Sequence, residues 1–483
     1  MTYPEAIQYL DSFINYEKIS QYPYKQFLKL ERIKDFLKNT LNNPQDDLKC
    51  IHIAGTKGKG STCAFVAYIL RQAGFKVGLY TSPHLSDFRE RIRILGARRK
   101  AQGARRNFEG MISRQELTAL VESLKPEIDK FNSQSKYGNL SFFEVYTALA
   151  FEYFKEKEVD FAVLETGLGG RLDATNVVEP LVCAITSISY EHTQKLGNTL
   201  REIATEKVGI IKAGYGIRDT GYGGGFSNRY PLAISRYPIV ISAPQEKEAM
   251  EVIRSRCEEV DAQLYVVGKD ITYQKINNGF GIKGIFGEYP NLKIKLLGEH
   301  QLINATVAVG AIEALRFYNI KVDVDYIKEG LYNTIWPGRC EVISKNPTVV
   351  LDGAQNIASS KALKETIKEN FSTKGRSASG GKYKRLILVL GISKDKDIKG
   401  ICSQFYDLAD TIILTRASNP RATPPENLAK YFSDKDTYLT NSVKEAIELA
   451  TKEVSPQDLI LVTGSLFVVG EARELFSSFA FAR

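Results

Sequence analysis

Three glycines and two lysines fall within six residues, between an apolar run and an amphipathic segment. That feature, inside residues 49–74, constrains the chain more than any other. Ile51, Ile53 and Ala54 read as a buried strand, and Gly55-Thr56-Lys57-Gly58-Lys59-Gly60 as the loop that leaves it. Ser61 and Thr62 open a segment in which Phe65 pairs with Ile69 and Val66 with Leu70 at helical spacing, and Gly74 closes it like a C-cap. Strand, glycine loop and helix start is a geometry that grips phosphates. Loop N–H groups face the anion, and the helix N-terminus adds about half a positive charge. Lys59 supplies a full charge, and the hydroxyl of Ser61 or Thr62 can hold Mg²⁺. The pattern is G-x-x-G-K-G-S, tighter than the common G-x-x-x-x-G-K-[ST], which would need glycine where Ile53 stands. A plain turn between two core elements is the competing reading; a lysine and two hydroxyls at the helix start weigh against it.

A chain of 483 residues exceeds what one core supports, so two or three domains are expected. No run approaches the roughly 20 apolar residues that cross a bilayer. Met1-Thr2-Tyr3-Pro4-Glu5 has neither a basic nor an apolar leader region, so a cytoplasmic protein without membrane partners is expected. The six cysteines form no C-x-x-C pair, which argues against a zinc site or a disulfide framework and fits a reducing cytosol. The net charge of +9 resides in three glycine-rich basic stretches, 96–110, 215–238 and 373–382, which together carry all of it. A nucleic-acid surface would need a basic face with interleaved aromatics, so these stretches read as solvated insertions and no nucleic-acid partner is expected. Deleting 97–109 should then leave activity and melting temperature nearly unchanged.

Helical periodicity runs through 5–41, 114–131 and 142–156. Strands are expected at Lys76 to Tyr80, Asp160 to Glu165 and Leu181 to Ile188. Alternating strands and helices indicate a mainly parallel sheet. After Trp336-Pro337-Gly338-Arg339 a second alternation begins, with strands at 348–351, 386–390, 411–414 and 459–462. The expected organisation is α/β with two domains: a P-loop-type unit over 1–335 and a smaller Rossmann-like unit over 336–483. A cleft between two such units is the default ligand site.

Side chains at the carboxyl ends of neighbouring parallel strands converge on one crevice. Ser82 and His192 each follow a strand and Glu165 ends one, and the three could surround a phosphate-bound Mg²⁺, which favours oxygen ligands. Histidine is an unusual Mg²⁺ ligand, so a hydrogen-bonding role for His192 stays open. His52, inside the first strand, reads as a core residue. Lys207 by itself reads as a surface lysine. Asp352 ends the first strand of the second unit, Asn356 can cap the helix after it, and Arg339 could reach a phosphate across the cleft or form a surface ion pair.

Taken together these residues resemble the folylpolyglutamate synthase/dihydrofolate synthase branch of the Mur ligase superfamily. The resemblance rests on Gly55 to Ser61, Thr81-Ser82-Pro83-His84-Leu85, Glu90 to Ile94, Phe142-Phe143-Glu144, Glu165 to Asn176, Glu206 to Lys212, Gly298-Glu299-His300-Gln301 with Asn304-Ala305, Trp336 to Arg339, and Val462 to Leu466. It implies an ATP-dependent amide ligase. A pteroate or folyl carboxylate takes the γ-phosphoryl group, and L-glutamate displaces phosphate from the resulting acyl phosphate. The resemblance gives Lys59, Glu165, His192 and Lys207 catalytic roles. It assigns ATP contacts to Gly55, Thr56, Gly58, Lys59, Gly60, Ser61, Thr62, Asn304, Arg339 and Asp352. Ser82, Glu165, His192 and a carbamylated Lys207 become Mg²⁺ ligands. Ser141, Phe142, Phe143, Glu144, Leu172, Asp173 and Ala174 become the pterin wall. The implied substrates are dihydropteroate or a reduced folate with L-glutamate, and the implied state is a monomer. One departure is Gln355, where the family usually has histidine. The alternatives are a peptidoglycan-precursor Mur ligase, an ATP-binding regulator without catalysis, and a nucleic-acid binder acting through the basic stretches. The intact Lys59, Glu165, His192 and Lys207 set favours a working ligase.

Overall fold

The computed structural model describes residues 1–17, 19, 24–96, 108–213, 238–371 and 383–478. Its first sheet has seven strands: β1 (Cys50–Ala54), β2 (Val77–Tyr80), β3 (Ile92–Leu95), β4 (Phe161–Glu165), β5 (Val182–Ile185), β6 (Ile239–Ser242) and β7 (Gln263–Val266). Their order is β3-β2-β4-β1-β5-β6-β7, and every pairing is parallel except β2 with β3. β1 therefore lies inside the sheet, between β4 and β5, and all five of its residues are buried. Parallel strands are covered on both faces, which is why they read as unbroken apolar runs.

Helix Lys59–Gln72 follows β1 and is buried from Ser61 to Arg71. A helix enclosed on all sides shows little amphipathic contrast. It packs against helices Glu299–Ala314 and Val324–Asn333 in one apolar core with the sheet. On the opposite face, helices Tyr3–Asp11, Leu30–Thr40, Arg114–Gln134 and Phe142–Glu156 cover the sheet with a second core. An antiparallel meander, β8 (Thr272–Ile276), β9 (Gly279–Lys283) and β10 (Glu288–Leu292), adjoins the first core.

The second sheet is β11 (Glu341–Lys345), β12 (Thr348–Leu351), β13 (Leu386–Leu390), β14 (Thr411–Leu414), β15 (Asp436–Leu439) and β16 (Leu459–Thr463). Its order is β11-β12-β16-β13-β14-β15, parallel except for the β11 edge. Clusters on its two faces form separate cores. The strands the sequence signalled clearly are the buried ones. β3, β6, β7, the meander, β11 and β15 were not foreseen; β8 and β15 are mostly exposed and carry no apolar run. The 5–41 periodicity resolves into helices Tyr3–Asp11, Tyr24–Phe27 and Leu30–Thr40.

The basic stretch 96–110 does not end where the sequence suggested. Residues 97–107 lie outside the described residues, as do 215–237 and 373–382 of the other two stretches. Residues 108–110, however, belong to the fold. Phe108 meets Trp336 edge-on at 5.8 Å, Glu109 pairs with Arg71 at 2.6 Å, and Ile94 N–H donates to Gly110 O at 2.7 Å. All six cysteines are free and buried. Among the described residues no helix is long and apolar enough to cross a membrane.

Candidate active site

The loop leaving β1 is fixed from one side by the strand-end segment of β5. Thr56 and Lys57 N–H both donate to Ser187 O, at 3.0 and 3.1 Å, and the Thr56 hydroxyl donates to Ser189 O at 3.2 Å. Gly58 precedes the helix with φ of +86°, and a Cβ there would stand 2.1 Å from Asn304 Oδ1. Only glycine fits both the left-handed backbone and the gap. Asn304 is itself oriented by Gln301, to whose Oε1 it donates at 3.0 Å. Lys59 and Gly60 begin the helix, with Ser61 and Thr62 buried behind them. The Thr62 hydroxyl has no hydrogen-bond partner.

Glu165 is the last residue of β4, the strand beside β1, so its carboxylate meets the same crevice. Lys59 Nζ lies 4.0 Å from Glu165 Oε1, and Ser82 N–H donates to Oε2 at 3.2 Å. Burial pushes the Glu165 carboxyl up, while Lys59, the Ser82 N–H and Arg339 pull the other way. Two further hydroxyls at these strand ends, Thr166 Oγ1 and Ser189 Oγ, are buried without partners.

Lys207 overturns its default reading as a surface residue. It is 4 % exposed and donates to Gly55 O at 2.8 Å, so it sits directly beneath the glycine loop. The loop after β4 holds it there: Arg171 N–H donates to Glu206 O at 2.7 Å, and the Arg171 guanidinium pairs with Glu206 at 2.8 Å. Burial first, and then Lys59, push the Lys207 amine down to about 7, against the attraction of Glu191 and Asp173.

His192 adopts a left-handed backbone, φ +52°, at the start of the short helix Thr193–Leu196. Its side chain borders cleft solvent, but the dense walls around it push the imidazole down to about 4. Lys396, Lys207 and Lys195 act in the same sense, and Glu191 opposes them. The ring is then neutral at pH 7, with a free lone pair. Burial alone would raise the neighbouring Glu191 carboxyl, but His192, Lys396, Lys59 and Lys207 hold it below its usual range.

The second unit supplies Arg339, Asp352 and Asn356. Asp352 accepts from Cys340 N–H at 2.7 Å and Ala354 N–H at 2.8 Å, so both oxygens brace the backbone around Arg339. Asn356 caps the helix after it, accepting from Ser359 N–H at 2.9 Å, and its amide donates across the cleft to Glu191 at 3.2 Å. The capping role expected of Asn356 is present, and the cleft contact adds to it.

Between the two units lies a cavity of about 340 Å³. Ser82, Ser141, Phe143, Glu144, Leu172, Asp173, Ala174 and His192 all line it, as does Gln355. Phe142 does not. It is fully buried under the Arg91 guanidinium, 5.2 Å from the ring centre, and belongs to the core. Glu144 lines the cavity but is already engaged. It caps its own helix with Ser141 and forms a buried ion pair with Arg32, with Nε at 2.9 and 3.0 Å from the two oxygens. Asp173 likewise accepts from Thr175 and from Leu168 N–H, so these two acids shape the wall more than they offer free charge.

Several lining residues escaped the sequence reading. Asp395 and Lys396 follow β13, and Arg421 follows β14. The strand-end rule that found Ser82 and Glu165 would have reached Lys396. Arg421 forks onto Asp395, with both contacts at 2.7 Å, and donates to Glu17 O at 2.8 Å. The Glu17 carboxylate binds the buried Arg91 at 2.5 and 2.9 Å. Nothing in the sequence links Glu17 to residues some 70 and 400 positions away.

A metal would have to fit this donor set. Among the described residues no three His, Cys, Asp or Glu side chains gather as a metal-binding group. Glu165 and Ser82 offer oxygen, His192 a neutral nitrogen, and the nearby hydroxyls lack partners. That fits Mg²⁺, which typically takes one or two protein carboxylates and completes its shell with phosphate and water.

The chain matches the description "Mur ligase middle domain" over residues 110–312 and "Mur ligase, glutamate ligase domain" over 338–466. It is 33 % identical to a dihydrofolate synthase/folylpolyglutamate synthase of Bacillus subtilis, covering 92 % of this chain and 94 % of the relative. It is 29 % identical to the Escherichia coli protein of the same description over 88 % of this chain and 86 % of that one. A crystal structure of Mycobacterium tuberculosis folylpolyglutamate synthase complexed with ADP and AMPPCP superposes with a TM-score of 0.78 at 30 % identity, covering 94 % of this chain and 96 % of that one. The Escherichia coli FolC complex with DHPP and ADP gives 0.76 at 26 % identity, covering 99 % of this chain and 98 % of that one.

Proposed function

The chain belongs to the dihydrofolate synthase/folylpolyglutamate synthase family of Mur ligases, and from that premise we propose how its residues carry out ATP-dependent attachment of L-glutamate to a pterin acid. The protein is an ATP-dependent C–N ligase. The observation that carries the assignment of roles is the meeting, 4.0 Å apart, of Lys59 at the start of the helix after β1 with Glu165 at the end of the neighbouring parallel strand β4.

In this reading the N–H groups from Gly55 to Thr62 cradle the ATP phosphates, and Lys59 neutralises the terminal one. Phosphoryl transfer depends on alignment and charge neutralisation more than on covalent help. Asn304, behind Gly58, holds the loop, and Arg339, braced through Asp352, reaches the nucleotide from the second unit. Phe143, Leu172 and the backbone around Ala174 offer the flat wall for a pterin ring. Lys195 and Lys396, on the same cavity, suit the carboxylates of the substrates. The substrate carboxylate takes the γ-phosphoryl group and ADP departs; the glutamate amine then displaces phosphate to leave the amide. Contacts such as Asn356 with Glu191 and Arg421 with Glu17 O tie the units together over the cavity and limit water near the acyl phosphate.

The residues to hold Mg²⁺ are Ser82, Glu165, His192 and Lys207. When bound, the ion spreads the charge that develops on the transferring phosphoryl group. Lys207 serves once carbamylated. With its amine near neutrality at pH 7 it can add to CO₂, releasing a proton and becoming a carboxylate. The reading also includes a division of the chain into 1–335 and 336–483, a monomeric state and a cytoplasmic location.

A substrate panel tests the assignment. Phosphate release from ATP should require L-glutamate together with dihydropteroate or a reduced folate, and Lys59→Ala should remove nearly all of it. Turnover with a muropeptide precursor and none with either pterin would move the protein to the sister branch.

A further inference from the structure

The phosphate loop rests on an aromatic support that none of the assigned roles uses. Trp336, the only tryptophan of the chain, is 8 % exposed and lies against the first turn of helix Lys59–Gln72. A Cβ on Gly60 would stand 3.0 Å from Trp336 Cζ2 and 3.2 Å from Nε1. The indole therefore touches the backbone of the turn whose N–H groups face the nucleotide. Phe108 meets the indole edge-on, 5.8 Å between centres at 89°. The Arg93 guanidinium covers both rings, 5.3 Å from Phe108 and 5.7 Å from Trp336.

Arg93 is fully buried, with Nε donating to Glu109 O at 2.7 Å and Nη1 lacking a hydrogen-bond partner. The ring faces thus carry part of the stabilisation of its charge. The stack continues into the second unit. Gly338 N–H donates to Glu341 at 2.9 Å, Glu341 accepts from Arg473 Nε at 3.0 and 3.1 Å, and the Arg473 guanidinium lies 6.0 Å from the Phe108 ring. Arg93 from β3 and Arg473 from the final helix thus flank the Phe108–Trp336 pair, and Trp336 alone of these abuts the turn at Gly60.

We propose that Arg93 and Phe108 are positioning residues that act through Trp336: the stack holds the Gly60 turn in the conformation that binds the ATP phosphates, and the indole reports nucleotide binding. This rests on the nucleotide-site reading above. A plain core plug would fix stability alone; a support under the loop also sets nucleotide affinity.

The experiment is a titration of the full chain with a non-hydrolysable ATP analogue, followed in parallel by Trp336 fluorescence and by equilibrium dialysis. A saturable fluorescence change with the dialysis midpoint is expected. Phe108→Leu keeps apolar bulk but loses the edge contact. It should raise KM for ATP and Kd for the analogue on the order of tenfold, with kcat and KM for glutamate within about twofold. Silent fluorescence despite binding by dialysis, or a Phe108→Leu KM for ATP within about twofold of wild type, overturns the proposal. Should Phe108→Leu not fold, Trp336→Phe is read by dialysis alone: weakened analogue binding supports the support role, and unchanged binding overturns it. Wild-type protein that fails to bind the analogue by dialysis overturns the nucleotide-site reading itself, and the role of the stack with it.

Discussion

His52 shows how one buried side chain acquires its protonation state from its neighbours. Thr175 donates its hydroxyl proton to Asp173 Oδ1 at 2.6 Å, so His52 Nε2, 2.8 Å from the same hydroxyl, must be the donor. Nδ1 is then bare, and it has no partner. Burial, and after it Lys212, push the imidazole down to about 3. The unfolded chain takes up this proton near pH 6.5, whereas the folded chain resists it until about pH 3. Stability therefore falls as the pH drops through that window, by up to about 1.4 kcal/mol per pH unit. His52→Gln removes the titrating group. Thermal melts across the acid range should fall less steeply for the variant than for wild type, and parallel curves would refute the assignment. Lys207 illustrates the same dependence on surroundings: Gly55 O and the 4 % exposure define it, and neither is visible in the helical pattern around it.

At the scale of elements, two helix starts carry the site. The first follows Gly58, where any side chain would meet Asn304 and would have to adopt a left-handed backbone. Gly58→Ala should cost roughly 1–3 kcal/mol in strain and raise KM for ATP on the order of tenfold. Urea melts and ATP kinetics check the two effects separately. The second start is Phe142–Glu156, where Ser141 and Glu144 form a reciprocal cap and Arg32 neutralises Glu144. Both charges are nearly sealed, at 7 % and 6 % exposure. Arg32→Ala leaves an uncompensated buried carboxylate and should destabilise the protein by about 3–5 kcal/mol. Adding Glu144→Gln should recover part of that loss, because the orphaned charge is then gone. A loss under about 1 kcal/mol in the single variant would show that solvent reaches Glu144.

For the whole molecule, the question is where the core ends and the insertions begin. Composition places 96–110 in a single basic stretch, but Phe108 and Glu109 are locked to Trp336 and Arg71. The deletion expected to be neutral must therefore stop earlier. Replacing 97–107 by a short Gly/Ser linker should leave the melting midpoint and KM for ATP nearly unchanged. Extending the deletion through 109 should impair both, because it removes a ring from the stack and the partner of Arg71. Calorimetry and ATP kinetics on the two deletions test the boundary.

The glycine loop at a helix start, the two α/β alternations and the family could all be read from the order of residues. Each rests on local chemistry or on spacing along the chain. A glycine loop before a helix means much the same wherever it occurs, and apolar runs mark most of the buried parallel strands of both sheets, although the short run of β6 beside the basic stretch 215–238 went unread. The mostly exposed strands β8 and β15 were missed for the same reason: without burial on both faces they carry no apolar run. What the sequence left open depended on distant parts of the chain meeting. Burial of Lys207 under Gly55, withdrawal of Phe142 into the core, engagement of Glu144 by Arg32 and capture of Glu17 by Arg91 and Arg421 all join residues far apart in number. A side chain's charge state and accessibility are set by its neighbours in space, and only the folded packing of the two sheets decides which neighbours those are.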